Sequence, residues 1–282
     1  MNRPGGRTKS RVLTYDGHSA RQKSDEVATE EPLEIRLLAG GEVRTLAVTM
    51  RTPGADFELA TGFLFSEGVI SSKDEIKGLS YCVDRDVGEE QRFNIVNVAL
   101  RSRAMPDIAA LERHFLTSSA CGVCGRAVLD QLMHRVGGGE VRLAPEVIYG
   151  LPNRMREAQK NFASTGGLHA AGLFTLDGEL QALREDVGRH NALDKLVGWA
   201  FLEGSLPLKD SVLLVSGRAS YELAQKAAAA GVPVLCAISA PSSLAIGVAE
   251  EVGMTLIGFL RDERMNVYSG AERVRSEERS SS

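Results

Sequence analysis

The sequence predicts an α/β protein, a three-layer αβα core preceded by a smaller α+β portion. Three observations carry that prediction. From Val212 onward, short apolar runs alternate with helical patterns in the order βαβαβ, which favours parallel strands with helices packed on the sheet. The first third instead shows paired extended runs around a single helix. The composition, 43% hydrophobic and 25% charged over 282 residues, is that of a folded globule. At about 150 residues per domain, it has room for one large or two joined domains.

Taken in order, residues 1 to 24 carry Arg3, Arg7, Lys9, Arg11, Arg21 and Lys23 against Asp16 alone, which leaves the rest of the chain at −9 of its total −4. The expectation is a disordered basic arm over 1–30. The runs Leu33 to Leu38 and Val43 to Val48 meet at Gly40-Gly41, a hairpin signal, and Thr52-Pro53 opens a helix with Phe57, Ala60, Phe63 and Leu64 on one face and Gly68 as its stop. Leu79 to Val83 and Phe93 to Leu100 are two further extended runs, which closes an α+β subdomain over 31–115. A pliable loop, Thr117 to Gly125, leads into the helical pattern Ala127, Val128, Leu129, Leu132 and Met133. Gly137 to Gly139 separate it from a helix starting at Pro145 and predicted to break at Leu151-Pro152.

Gly167 to Leu176 and Glu179 to Arg184 form a hairpin around Asp177-Gly178, and Asn191 to Phe201 is helical. Strands Val212 to Val215, Val234 to Ile238 and Thr255 to Phe259 enclose helices Tyr221 to Ala230 and Ser243 to Val252. These place an α/β core over 116–268, with a disordered tail over 269–282. The charge-free stretch Ala227 to Ala249 is no membrane span, because Gly231, Pro233 and Pro241 punctuate it.

Several classes fall away on composition. The acidic balance argues against a nucleic-acid-coating protein. The N-terminus lacks the apolar run of a secretory signal, so the expected compartment is the cytoplasm, with no membrane partner. Four cysteines are too few for a disulfide scaffold.

The tight pair in Cys121-Gly122-Val123-Cys124-Gly125 fits zinc, dithiol redox or sulfur transfer. Its place before a helix favours thiolate, the reactive form. Cys82 and Cys236 lie in apolar runs and read as small buried hydrophobes. His169, at a glycine-rich approach to a strand, reads equally as a core histidine or as a proton donor or ligand. A zinc deaminase needs an acidic residue two positions after its histidine, where this chain has Ala171, so that class is disfavoured. A cofactor chaperone that needs no thiol is the other alternative. Glu185 to Lys195 and Ser216 to Ser220 both stand where a strand gives way to a helix, and Arg189, His190 and Arg218 are their candidates for holding a phosphate at helix amides. The bland account is capping by Asp186 or Asn191 within a solvated charge run.

In combination, the cysteine loop, Arg184-Glu185-Asp186-Val187-Gly188-Arg189-His190-Asn191-Ala192, Asp194-Lys195, Ser216-Gly217-Arg218 and Pro233 to Phe259 closely resemble the formate dehydrogenase accessory sulfurtransferase family, FdhD. The resemblance runs from about Pro32 to Tyr268. It implies a fold similar to cytidine deaminase and a cytoplasmic, homodimeric sulfur carrier. Such a carrier takes persulfide sulfur from a cysteine desulfurase and passes it to molybdenum in bis(molybdopterin guanine dinucleotide), the cofactor destined for the formate dehydrogenase apoenzyme. It further implies that Cys121 bears the persulfide with Cys124 as its partner, and that no metal is permanently bound. The family's cofactor-contacting stretch falls on Phe259, Leu260, Arg261, Asp262, Glu263 and Arg264.

Overall fold

The computed structural model describes residues 5–84, 86–88, 91–106, 136 and 141–275. Its first element corrects the expected disordered arm. Strands β1 (Arg7–Asp16) and β2 (Ser19–Ala28) form an antiparallel ribbon in full register from Arg7 opposite Ala28 to Asp16 opposite Ser19. Gly17, at φ +58°, takes the left-handed conformation that the two-residue turn requires. Polar side chains on both faces hid the ribbon from an apolar-periodicity reading.

The α+β portion is a four-stranded sheet in the order β4-β3-β6-β5, built from β3 (Glu31–Ala39), β4 (Glu42–Arg51), β5 (Ile76–Tyr81) and β6 (Ile95–Leu100). Helix α1 (Asp56–Ser66) crosses its inner face. The end of β4 is fixed by Arg51, fully buried, whose Nε donates to Asp56 Oδ1 at 3.0 Å and whose Nη2 donates to Asn94 Oδ1 at 3.0 Å.

The α/β core holds helices α2 (Pro145–Ala158) and α3 (Lys160–Thr165), strands β7 (His169–Thr175) and β8 (Leu180–Asp186), helix α4 (Arg189–Glu203), then β9 (Ser211–Val215), α5 (Tyr221–Ala229), β10 (Val234–Ala237), α6 (Ser243–Glu251), β11 (Thr255–Arg261) and β12 (Arg264–Ser269). The six strands form one sheet, β12-β11-β10-β9-β7-β8, in which β9, β10 and β11 run parallel. Alternate residues face two cores. Val212, Leu214, Val234, Cys236 and Ile257 pack with Ile148, Leu151 and Met155 of α2. Leu213, Val215, Leu235 and Leu256 pack under α4, α5 and α6 in a core that continues to Leu33, Ile35 and Leu37 of β3. The three-layer arrangement is therefore present, and the second sheet shares its core.

Two further expectations are corrected, and one strand is added to those expected. Helix α2 runs through Pro152, because Ile148, Leu151 and Met155 on either side are buried and their packing outweighs one missing hydrogen bond. The chain after β11 is a hairpin, β12 pairing antiparallel with β11. Within the expected tail, Leu143 and Val274 form an isolated bridge and Arg275 N–H donates to the Leu143 carbonyl at 3.1 Å.

The two portions meet where α1 crosses α4. A Cβ on Gly62 would stand 1.8 Å from the Asp194 carbonyl oxygen, and one on Gly198 would stand 1.8 Å from that of Glu58. Only glycine lets the two backbones approach so closely. Among the described residues, no helix is long and apolar enough to cross a membrane.

Candidate functional site

Parallel β9, β10 and β11 deliver their carboxyl ends to one edge of the large sheet, where ligand crevices of open α/β folds form. The antiparallel pair β7 and β8 brings two more groups there, since His169 opens β7 directly opposite Asp186 at the close of β8. Helices α4, α5 and α6 all begin at this edge. Ser220 caps α5 and Ser242 caps α6, their Oγ atoms accepting from Leu223 N at 3.4 Å and Ala245 N at 3.2 Å. Helix α4 starts from Gly188 with no side-chain cap, so its first amides and dipole face the crevice.

Much of the motif Arg184 to Lys195 is structural. Asp186, fully buried, pairs with Lys195 at 2.7 Å, while its oxygens accept Thr52 N–H at 3.1 Å, Gly188 N–H at 2.8 Å and Asn191 Nδ2 at 3.1 Å. Lys195 also donates to the Thr52 carbonyl at 2.8 Å. Glu185 accepts the Asn161 and Phe162 amides at the start of α3, and Arg184 Nη2 donates to Glu58 of α1 at 2.7 Å. Asp194 pairs with Lys226 at 2.8 Å, with Glu67 beside it. Burial works against the Lys226 ammonium, but the two carboxylates outweigh it and raise its pKa above the ordinary lysine value. The capping reading is therefore corrected: no side chain caps α4, and Asp186, Asn191 and Lys195 are buried rather than solvated, a lattice hidden in the sequence because Thr52 lies far away.

Arg189 and His190, the first two residues of α4, stand at this edge in different states. Arg189 Nε is buried and, among the described residues, has no hydrogen-bond acceptor. Such an atom either costs stability or serves a partner that arrives later. The Arg189 Cδ and the His169 ring flank Gly217, where an added Cβ would lie 3.4 Å from His169 Nδ1 and 3.8 Å from Arg189 Cδ. Burial, followed by the charge of Arg189, lowers the His169 pKa below the ordinary histidine value, so the ring is neutral near pH 7. His190 Nε2 lies 2.9 Å from Glu222 Oε2 and 3.3 Å from Ser220 Oγ. The hydrogen bond with His190 leads in lowering the Glu222 pKa. Ser220 and Glu222 escaped the sequence reading, which had no means of pairing them with His190. Arg218 is exposed on the β9–α5 connection. Together these groups form a cationic, amide-lined cradle suited to phosphate oxygens.

The stretch Phe259 to Arg264 extends from the same edge. Phe259 N–H donates to the Ser239 carbonyl at 3.1 Å, and Gly258 lies so close to Pro241 that a Cβ there would be 2.7 Å from its Cδ. Phe259, at φ +51°, is 45% exposed, while Arg261 and Arg264 pair across a turn at Asp262 and Glu263, all four exposed. Leu260 differs from the expectation, for its side chain is fully buried with Ile257 in the sheet core, leaving only its backbone for a ligand. Two strand spacings of about 4.8 Å separate β9 from β11, so the cradle and this hairpin suit an elongated ligand.

Cys121 and Cys124 lie outside the described residues. Cys82 is 3% exposed and Cys236 fully buried, matching their reading as small core groups. Burial pushes the Cys236 thiol up to about 12, far from reactive thiolate. Among the described residues, no three histidine, cysteine or acidic groups converge on a metal site.

A sequence profile of the FdhD/NarQ family matches residues 28–275. Proteins named sulfur carrier protein FdhD are similar along most of their length. The one from Streptomyces avermitilis is 52% identical over 272 residues, covering 94% of this chain and 95% of its own. The one from Mycobacterium tuberculosis is 49% identical over 259 residues, covering 89% and 92%. A crystal structure from Desulfotalea psychrophila, described as a formate dehydrogenase accessory protein, shares the fold at a TM-score of 0.72 and 24% identity, over 95% of this chain and 99% of that one.

Proposed function

The chain belongs to the FdhD/NarQ family, and from that premise we propose that it is a cytoplasmic sulfur carrier serving formate dehydrogenase. The observation that carries this reading is the cysteine inventory. Of the four cysteines, Cys82 and Cys236 are buried, which leaves Cys121 and Cys124 for sulfur chemistry. In the first step, the Cys121 thiolate attacks the terminal sulfur of a cysteine desulfurase persulfide. The donor's S–S bond breaks, its cysteine leaves as thiolate, and Cys121 holds the persulfide. In the second, the Cys124 thiolate attacks the inner sulfur, which frees the terminal sulfur as hydrosulfide for the molybdenum of the substrate cofactor. The resulting disulfide is reopened by a dithiol reductant.

The cofactor, here a substrate, is bis(molybdopterin guanine dinucleotide). The uncapped α4 N-terminus, Arg189 with its unsatisfied Nε, His190 and Arg218 support this reading because they offer donors to diphosphate oxygens. Arg261 and Arg264 would meet its far end, with Phe259 alongside.

Intact-mass analysis after incubation with a cysteine desulfurase and cysteine tests the proposal. Wild type gains sulfur that reductant removes, Cys121→Ala gains none, and Cys124→Ala gains sulfur and retains it longer. Undiminished loading of Cys121→Ala would overturn the assignment of the carrier thiol.

A further inference from the structure

Helices α4 and α5 both begin at the crevice edge, and their first turns are finished differently. At α5, Ser220 Oγ accepts the Leu223 amide at 3.4 Å and Glu222 stands in the first turn, so that helix supplies its own cap and its own anion. At α4 no side chain caps the turn, and its second residue, His190, reaches across to α5 instead. His190 Nε2 lies 2.9 Å from Glu222 Oε2 and 3.3 Å from Ser220 Oγ, while Ser220 Oγ donates to the same Glu222 oxygen at 3.4 Å.

The ring therefore has one nitrogen engaged and one not. Among the described residues, His190 Nδ1 has no hydrogen-bond partner. An ionised carboxylate only accepts, so the nitrogen facing Glu222 carries a proton whether the imidazole is neutral or charged. The hydrogen bond at one ring nitrogen sets the state of the other. A neutral ring then offers a lone pair at Nδ1, and an imidazolium offers an N–H there. Phosphate oxygens accept, so only the charged ring serves a phosphate at the α4 N-terminus. The charged and titratable groups facing the ring are Glu222 from α5, Arg189 from its own helix and His169 from the start of β7. The hydrogen bond with His190 holds the Glu222 carboxyl below its usual range, so the carboxylate persists through neutral pH and favours the charged ring.

We propose that Glu222 and Ser220 are positioning residues for His190. They hold the imidazole by Nε2 and leave Nδ1 as the atom that donates to a phosphate oxygen of the cargo. The inference deepens the phosphate reading of the crevice and rests on it.

Titration calorimetry of the full chain with guanosine diphosphate, together with NMR of its histidine ring nitrogens, provides the test. Asparagine carries its amide nitrogen near the place of Nδ1, and glutamine near that of Nε2. His190→Asn therefore keeps its affinity within about threefold, and His190→Gln loses about tenfold. Glu222→Gln weakens wild type about tenfold but leaves the affinity of His190→Asn unchanged, because it acts only through the ring. From pH 6 to pH 8 the affinity of wild type falls relative to that of His190→Asn, which has no ring to titrate. The spectra place the proton of the neutral His190 ring on Nε2 in wild type and divide it between both nitrogens in Glu222→Gln. Equal losses in the two His190 variants overturn the proposal. So does an equal effect of Glu222→Gln in both backgrounds, or a neutral wild-type ring protonated at Nδ1. A wild type that binds no diphosphate, with the spectra as expected, overturns the phosphate reading and the role given to Nδ1, but not the hold of Glu222 on the ring.

Discussion

Replacing Arg189 with methionine separates a ligand-binding role from a structural one, because the two predict opposite signs. Among the described residues, its Nε is buried without an acceptor. A donor left so costs about 1–3 kcal/mol, and methionine removes it while keeping an unbranched stem beside Gly217. The free protein should therefore be no less stable and should gain about 1 kcal/mol, which is roughly 2–4 °C in Tm for a chain of this size. Affinity for a diphosphate should move the other way. A charge-assisted hydrogen bond contributes about 1.5–3 kcal/mol, so binding of guanosine diphosphate weakens about 10- to 100-fold. Calorimetric melting without ligand and titration calorimetry with guanosine diphosphate measure the two effects. A drop of several degrees without ligand, joined to unchanged affinity, would refute the reasoning and make Arg189 a structural residue.

Other substitutions probe the frame around it. Gly62→Ala forces a methyl group to within 1.8 Å of the Asp194 carbonyl, so the helix crossing must separate. It should cost at least about 3 kcal/mol in urea unfolding. Lys226→Met leaves Asp194 buried without its cation and should lose about 3–5 kcal/mol, most of it recovered when Asp194→Asn is added; equal losses in the single and double variants would count against the pairing. His169 has a folded pKa below its unfolded value, so the native state takes up its proton later than the unfolded chain. Its contribution is therefore flat above the ordinary value of 6.5 and is lost as pH falls from there to the folded pKa. Stability curves of wild type and His169→Gln between pH 5 and 8 should diverge along that slope, and parallel curves would assign the slope to another group.

Legibility in the sequence followed the physics of burial. Strands β9, β10 and β11 are apolar on both faces and flanked by glycine or proline, and their alternation with helices shows in sequence. The β1–β2 ribbon buries little and left only the Asp16-Gly17 turn as a signal. At the candidate site, Arg189, His190 and Arg218 stand out in the sequence because charge at a junction between strand and helix is a local pattern. Asp186, Asn191 and Lys195 stand in the same pattern, and only partners such as Thr52, more than a hundred residues away, reveal them as a buried lattice. Leu260 shows the converse limit, since a motif includes residues that fill the core beneath a site as readily as those that face it.

The glycine crossing of α1 and α4 has a mechanical consequence. Where Gly62 and Gly198 bring the two helix backbones into contact no side chain cushions them, so the helices cannot move closer there without collision. With Asp186 and Lys195 binding the same seam to Thr52, the body behaves as one stiff block rather than two lobes on a joint. A body built this way offers its sheet edge as a preformed surface rather than closing one lobe upon the other.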